Sequence, residues 1–202
     1  MEPPTLVTER LMLRPLDERD VESVQAACQD PEIVRWIPVP EPYGREDAEQ
    51  FVCGVSPAGW RDDTMYNFGV FTKSGGLVGS MGLVRLWQLG TPERQAELGF
   101  WTVKEQRGNG YTVEAGRAVI DWAFSELKAE RLEWVAEAGN LASRAVARRL
   151  GFVMEGTQRA KIVQRGIRRD AWVAALLPTD LGQQMETPYL PASGRSRAKR
   201  PA

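Results

Sequence analysis

The feature that most constrains the fold of this chain is a loop with two glycines that lies between an apolar run and a helical stripe. The apolar run, residues 98–103, is short and rich in β-branched and aromatic side chains, which predicts a strand. After the loop, apolar residues recur with the spacing of one buried helix face, at Ala115, Ala118, Val119, Trp122, Ala123 and Leu127. The order strand, glycine loop, helix is therefore predicted across residues 98–127.

The loop itself indicates a binding site for an anion. Gly108 and Gly110 permit backbone conformations that other residues avoid, and they let a ligand approach the main chain. Free N–H groups at the helix start and the helix dipole would then favour a phosphate or pyrophosphate. A tight structural connection would have the same pattern. The P-loop pattern is absent, and Val113 stands where a dinucleotide fingerprint has its third glycine.

Two segments resemble one protein superfamily. Residues 107–112, Arg-Gly-Asn-Gly-Tyr-Thr, are similar to the Arg/Gln-x-x-Gly-x-Gly/Ala signature of the GNAT acyltransferases, which hold the pyrophosphate of acyl-coenzyme A; Thr112 replaces the last Gly or Ala. Residues 140–143, Asn-Leu-Ala-Ser, and 149–152, Arg-Leu-Gly-Phe, resemble the Asn-x-x-Ser and Lys-Leu-Gly-Phe segments of the RimJ/RimL-type branch, the N-terminal acetyltransferases of ribosomal proteins. The resemblance extends from Leu6 to Leu181.

The resemblance implies that the chain binds acetyl-CoA as acyl donor. The amides of the glycine loop would hold the pyrophosphate, and backbone groups of residues 101–103 would run antiparallel to the pantetheine. The implied cofactor-binding residues are Trp101, Thr102, Val103, Arg107, Gly108, Asn109, Gly110, Tyr111, Thr112, Asn140 and Ser143.

Ser143 is the candidate that protonates the departing sulfur, because the resembled branch has serine at this position. The tyrosine that many GNAT enzymes have four residues before Gly-Phe is replaced here by Ala147. Structural alternatives stay open for both polar residues of this segment. Ser143 could satisfy a local N–H group at the helix start, and Asn140 could cap the end of a strand instead of bonding the pantetheine.

The chain contains no histidine, which restricts the chemistry of any active site. Ser-His-Asp and Cys-His nucleophile systems are excluded, as is a histidine-ligated metal, and the distant Cys28 and Cys53 do not form a zinc site. We therefore expect no metal. Glu97, which precedes the cofactor strand, is the candidate base, acting through water; a solvated glutamate at a strand end is the alternative. An α-amine, with a pKa of about 8, needs little help from a base.

The acceptor pocket of the resembled family is built from the region that contains Trp36, Trp60 and Tyr66, although core packing would explain each of them. Asp170 matches an acid of the same branch. We expect an acetyl-CoA-dependent N-acetyltransferase that acts on a primary amine, first of all the N-terminal α-amine of a protein or peptide. Acetylation of a polyamine or antibiotic is an alternative, for which an acidic pocket could come from Glu41, Glu46, Asp47, Asp62 and Asp63. A non-catalytic coenzyme A-binding sensor or scaffold is another.

The chain has 202 residues, of which 43% are hydrophobic, so one domain with a full core is expected over residues 1–181. Residues 182–202 predict a disordered tail whose cations are Arg195, Arg197, Lys199 and Arg200. The net charge of −1, with no long apolar run and no signal peptide, predicts a cytoplasmic protein that binds neither DNA nor membrane. A homodimer is an expectation from the family alone.

The order of predicted elements indicates an α/β fold with a mixed, mostly antiparallel (α+β) sheet and helices on both faces. The resemblance implies the GNAT fold, in which the strand of residues 100–103 splays from the strand of residues 134–138 at the cofactor site. Two further local predictions are a close backbone approach or bulge at Gly79 and Gly82, and a core position for Cys28 on an apolar helical stripe. Cys53 is expected to be structural.

Overall fold

The computed structural model describes residues 1–192. The strands are β1 (Leu6–Val7), β2 (Leu11–Arg14), β3 (Tyr66–Thr72), β4 (Leu77–Val84), β5 (Gln95–Thr102), β6 (Arg131–Glu137), β7 (Val153–Gln164) and β8 (Ile167–Leu176). The helices are α1 (Val21–Cys28), α2 (Pro31–Trp36), α3 (Arg45–Glu49), α4 (Ser56–Arg61), α5 (Tyr111–Ser125) and α6 (Leu141–Leu150). Within the described residues, no helix is both long and apolar enough to cross a membrane.

All eight strands form one sheet in the order β1-β2-β3-β4-β5-β6-β8-β7. Neighbours are antiparallel except β5 and β6, which are parallel and share three residue pairs that end at Glu97–Glu133. Beyond this pair, β5 continues along β4 to Thr102, whereas β6 continues along β8 to Glu137. The mixed, mostly antiparallel sheet and its splay are therefore confirmed. We call the point where β5 and β6 separate the split.

Helices cover both faces of the sheet, as predicted, and the structure has two hydrophobic cores. On the face that we call the α5–α6 face, strand side chains such as Leu98 and Trp134 pack with Val119 of α5. On the opposite face, the α1–α3 face, Cys28 and Val24 of α1 pack against Phe71 of β3. Cys28 is 2% exposed, which confirms its core position, whereas Cys53 is exposed.

The helix that begins with α3 is longer than α3 itself. It continues from α3 through a π-helical segment, Gln50–Val55, into α4. Pro57 has no N–H group to donate to the preceding turn of the helix. The wider π-helical turn before Pro57 does not require a hydrogen bond from this residue. As a result Trp60 lies in a helix rather than beside a loop.

The close backbone approach predicted at Gly79 is confirmed. A Cβ atom at Gly79 would lie 2.1 Å from the carbonyl oxygen of Trp101, so any side chain here would push β4 away from β5. The register between β3 and β4 also shifts between Val70 and Phe71, opposite this residue. Gly79 therefore lets β4 hold the last residues of β5 in place where they leave β6.

The tip of the β7–β8 hairpin extends over the α1–α3 face. Gln164 and Arg165 donate hydrogen bonds to the carbonyl oxygens of Ile37 and Val34, each at 3.2 Å, and Arg165 pairs with Glu41 at 3.1 Å. The hairpin and the segment after α2 are thereby joined across the end of β6. The described part of the predicted tail contacts the domain through Glu186 and Thr187; its four cations lie outside the described residues.

Candidate active site

The split brings polar residues together from both faces of the sheet. Ala96 and Leu98 point into the core under α5, so Glu97 between them points to the α1–α3 face. Its partner across the last β5–β6 pair is Glu133, on the same face. The next residue of β6, Trp134, points to the α5–α6 face. A carboxylate pair and an indole thus mark the two sides of the gap that opens between the strands.

The glycine loop leads from the end of β5 into α5, as predicted. Gly108 and Gly110 have φ angles of 81° and 78°, which only glycine adopts without strain. The first backbone bond within α5 runs from Glu114 N–H to the Gly110 carbonyl, so the N–H groups before it are free to bind an anion. A Cβ atom added at Gly108 would meet no heavy atom within 4 Å, so the space beside the loop is open. These features fit the pyrophosphate of coenzyme A.

The departure at Thr112 has a structural explanation. Its hydroxyl lies 2.7 Å from the hydroxyl of Thr102, the last residue of β5. The two threonines therefore tie the start of α5 to the strand end on the other side of the loop. The Thr112 side chain is accommodated by this contact, and the loop keeps its left-handed glycines.

The cation predicted for the loop is held away from it. Arg107 forms an ion pair with Asp30, before α2, and donates a hydrogen bond to the Thr102 carbonyl oxygen at 3.2 Å. Arg10 takes the place beside the helix start. Its guanidinium lies 4.6 Å from the ring centroid of Tyr111 and donates to the Asn109 carbonyl oxygen at 3.1 Å.

An open depression of about 690 Å³ adjoins the loop at Gly110. Its lining includes Arg10 from the β1–β2 turn, Arg117 from α5 and Arg149 from α6. Glu9 and Glu114 also line it, and Glu114 pairs with Arg10 at 2.6 Å, so the depression is mixed in charge and its arginines are only candidates for a phosphate contact. No sequence spacing indicates these residues as a set, because they are brought together from positions far apart in the chain.

Asn140 and Ser143 lie at the start of α6. The Asn140 side-chain oxygen accepts a hydrogen bond from Ser143 N–H at 3.1 Å, so Asn140 is the N-cap of the helix. This contact leaves the Asn140 amide NH₂ group to donate elsewhere. The Ser143 hydroxyl oxygen accepts a hydrogen bond from the Trp134 indole N–H at 3.0 Å. Ser143 is therefore attached to the α5–α6 side of the split.

Glu97 lies on the other side, with a side chain that is 14% exposed. Burial raises the pKa of its carboxyl group; the positive charge of Arg85 opposes this rise and the neighbouring Glu133 adds to it. Arg85 Nε lies 2.9 Å from Glu97 Oε2. A partly buried carboxylate with a raised pKa has the character of a general base.

The three aromatic residues predicted for an acceptor pocket have different environments. Trp60 and Tyr66 are 2% and 4% exposed, and their rings stack in the core with centroids 4.7 Å apart. Trp36 is half-buried at the end of α2, where the Arg35 guanidinium lies 4.1 Å from its ring centroid. Asp170 accepts a hydrogen bond from Ala160 N–H at 2.9 Å, within the β7–β8 hairpin.

The acids considered for a polyamine pocket are dispersed. Asp47 caps α3, Asp62 pairs with Arg61, and Asp63 pairs with the N-terminal amine. Glu41 pairs with Arg165. None of these contacts places a carboxylate at the split, where the acids are Glu97 and Glu133.

One contact at the end of β6 was not foreseen. Arg35 of α2 forms two hydrogen bonds, at 2.6 and 3.0 Å, with the buried carboxylate of Glu137. These bonds lower the pKa of Glu137. Together with the hairpin contacts, this ion pair bounds one side of the space over the split on the α1–α3 face. Because 102 residues separate the partners, no sequence spacing could have indicated it.

Residues 10–153 match the acetyltransferase (GNAT) domain family, and this span includes β2 to β6, the split and the glycine loop. The chain belongs to the GNAT acetyltransferase family. Among its relatives, the chain is 38% identical over 96 residues to the "Putative ribosomal N-acetyltransferase YdaF" of Bacillus subtilis strain 168. That match spans 48% of this chain and 52% of the relative, which is about half of its length.

Solved structures of the family have the same fold. The "putative ribosomal-protein-serine acetyltransferase from Vibrio cholerae" is 28% identical, with a TM-score of 0.77, over 87% of this chain and 98% of that one. Mycobacterium smegmatis RimJ in complex with CoA-disulfide is 23% identical, with a TM-score of 0.79, over 91% of this chain and 93% of that one. The second likeness, at this identity, concerns the fold alone.

Proposed function

We propose that this GNAT protein transfers the acetyl group of acetyl-CoA to a primary amine, first of all the N-terminal α-amine of a protein or peptide. One observation carries the proposal. The split separates two groups with suitable chemistry, the Ser143 hydroxyl on the α5–α6 side and the Glu97 carboxylate on the α1–α3 side. A proton donor and a proton acceptor therefore face the gap from opposite sides.

The residues that would bind acetyl-CoA lie along the gap, from the split to the glycine loop. Alternate backbone groups of residues 98–102 face away from β4 where β6 has turned off, and they can pair with the pantetheine amides as an added strand would. The Asn140 NH₂ group, beside the oxygen that accepts from Ser143 N–H, would donate to the pantetheine as well. The glycine-loop amides and the arginines of the adjoining depression would hold the phosphates. Acetyl-CoA supplies the activated acyl group.

Each protein group has one proton to move. As the amine nitrogen bonds to the acyl carbon, Glu97, directly or through water, takes a proton from that nitrogen and later releases it to solvent. Ser143 gives its hydroxyl proton to the sulfur whose bond to carbon breaks, and it regains a proton from solvent. The net result is an amide and a thiol, with one proton moved from nitrogen to sulfur. A backbone N–H of β5 beyond Glu97 can polarise the carbonyl oxygen.

Three points favour an α-amine as acceptor. An α-amine has a pKa of about 8 and is partly neutral at physiological pH, so one glutamate is sufficient as base. The α1–α3 face is bounded by α2 and the β7–β8 hairpin, which suits the end of a chain. The B. subtilis relative and the V. cholerae protein carry names that specify a ribosomal acceptor. A cytoplasmic location and a homodimer remain predictions.

Calorimetric titration with acetyl-CoA, coenzyme A and ATP tests the first part of the proposal. Micromolar binding of both coenzyme A species, without binding of ATP, is expected. Single-turnover transfer to N-terminal peptides then tests the reaction. Ser143→Ala should lower the rate about 10- to 100-fold with little change in acetyl-CoA affinity. Ser23→Ala, at an exposed position of α1, is the matched control.

Two outcomes would contradict the proposal. Coenzyme A binding without transfer to any peptide, polyamine or other amine would favour the sensor or scaffold alternative. Transfer to polyamines with no transfer to peptides would move the acceptor to the small-molecule class.

A further inference from the structure

The indole of Trp134 makes a polar contact at the split that the proposed reaction has not used. Trp134 is 1% exposed, and its Nε1 donates to Ser143 Oγ over 3.0 Å. An indole N–H that is buried without a partner is costly. The contact therefore fixes the Ser143 side chain relative to β6, immediately after the last residue pair that joins β6 to β5.

The direction of this hydrogen bond decides what Ser143 can do. An indole N–H is only a donor, whereas a hydroxyl has one hydrogen to donate and two lone pairs that accept. Because Trp134 occupies one lone pair, the hydroxyl hydrogen of Ser143 must point away from the indole. Within residues 1–192, this hydroxyl donates to no other group, and the Ser143 N–H is already held by Asn140. The hydrogen is left for a ligand atom in the gap.

We propose that Trp134 is a positioning residue that directs the Ser143 hydroxyl hydrogen toward the thioester sulfur. This inference rests on the proposed acetyl transfer. When Ser143 gives its proton to the sulfur, negative charge develops on Oγ, and an indole N–H that already points at Oγ stabilises this charge without rearrangement. Trp134 itself neither gains nor loses a proton. Its effect on transfer therefore requires the Ser143 hydroxyl.

Trp134→Phe removes the N–H group and keeps an aromatic ring. The matched control is Trp122→Phe, because Trp122 is 7% exposed in the same core and its ring contacts are Trp60, Tyr66 and Phe68. At saturating acetyl-CoA, the single-turnover rate should fall about three- to tenfold in W134F, the effect of one lost hydrogen bond. The rate of W122F should stay within about twofold of wild type. In a Ser143→Ala background, W134F should add less than about twofold, because it acts through Ser143.

Two measurements without turnover complete the test. The thiolate absorbance of bound coenzyme A, followed against pH, should show a higher thiol pKa in W134F than in wild type and no change in W122F. In a ¹H–¹⁵N spectrum, the Trp134 indole resonance should move when Ser143 is replaced by alanine. If W134F does not fold, this second measurement still decides, because S143A retains Trp134.

Equal transfer rates in W134F and W122F would overturn the inference, as would an unmoved Trp134 indole resonance in S143A. A wild-type protein that binds coenzyme A but transfers no acetyl group would instead refute the proposed function. The two failures are distinguishable, because the resonance measurement requires no reaction.

Discussion

Glu97 and Glu133 lie opposite each other at the last residue pair between the parallel strands β5 and β6. Each side chain has its own cationic neighbour: Arg85 is 2.9 Å from Glu97, and Arg131 is 3.0 Å from Glu133. Burial raises the pKa of Glu97, the positive charge of Arg85 opposes this rise, and the negative charge of Glu133 adds to it. The pair lies at the point where the strands separate. The sheet topology therefore places two titratable groups beside the proposed reaction, whose rate should depend on pH.

Glu97→Gln should lower kcat/KM for the amine by about 10- to 100-fold. In the wild type, kcat/KM should rise with pH through an ionisation above the ordinary carboxyl value of about 4.3, since burial and Glu133 raise the pKa of Glu97. Glu133→Gln is the control: it should retain the rate and move this ionisation to lower pH. A pH profile that Glu97→Gln leaves unchanged would exclude Glu97 as the base.

The same raised pKa predicts how stability depends on pH. Because the folded state holds the Glu97 proton more tightly than the unfolded state, its contribution is most favourable below the ordinary carboxyl range and is lost as the pH rises through the folded pKa. Glu97→Gln should remove this loss. Denaturant unfolding of both proteins at several pH values gives their free energies of unfolding. The difference between the two free energies should grow with pH over this window.

Gly110→Asp should abolish coenzyme A binding while the protein stays folded. The substitution places a negative charge at the helix start where phosphates are expected, and it strains a backbone whose φ is 78°. Gly75→Asp is the matched control, because Gly75 also has a positive φ, 92°, but lies in the β3–β4 turn. Calorimetry should show binding in the control alone. Equal affinities in the two variants would rule out the glycine loop as the phosphate site.

Gly99→Val should weaken binding of the amine acceptor and leave binding of acetyl-CoA unchanged. Gly99 follows Glu97 on the α1–α3 face, and a Cβ atom there would meet no heavy atom within 4 Å. A valine suits the strand and would occupy space next to the proposed base. The KM for the amine should rise at least about tenfold, because the valine keeps the amine from its place beside the base. The affinity for acetyl-CoA should stay unchanged. Gly90→Val, in the loop after β4, should change neither.

Arg35→Ala should loosen α2 from the sheet. The hydrogen bonds from Arg35 lower the pKa of the buried Glu137, so this pair stabilises the fold above the ordinary carboxyl range and loses that effect as the pH falls through the folded pKa. The variant should be less stable at neutral pH and approach the wild type in acid. Melting curves at neutral and acid pH measure this. Arg45→Ala, from an exposed pair with Glu49, should cost much less.

The sequence alone determined the elements that depend on local pattern. The strand, the glycine loop and the helix at residues 98–127 follow from a short β-branched and aromatic run, from the need for left-handed residues and from a 3.6-residue stripe, all of which act between near neighbours. The resemblance extended this to the sheet and its splay. The resemblance indicates Ser143, and the position before the cofactor strand indicates Glu97.

Only the tertiary structure decided which side chains meet. Arg107 pairs with Asp30 rather than facing the loop, Arg10 stacks on Tyr111, and Arg35 holds Glu137. Trp60, which sequence placed near a pocket, is buried because the helix before it continues. These contacts join residues that are tens of positions apart, and their free energies depend on burial and distance, which local sequence spacing does not encode.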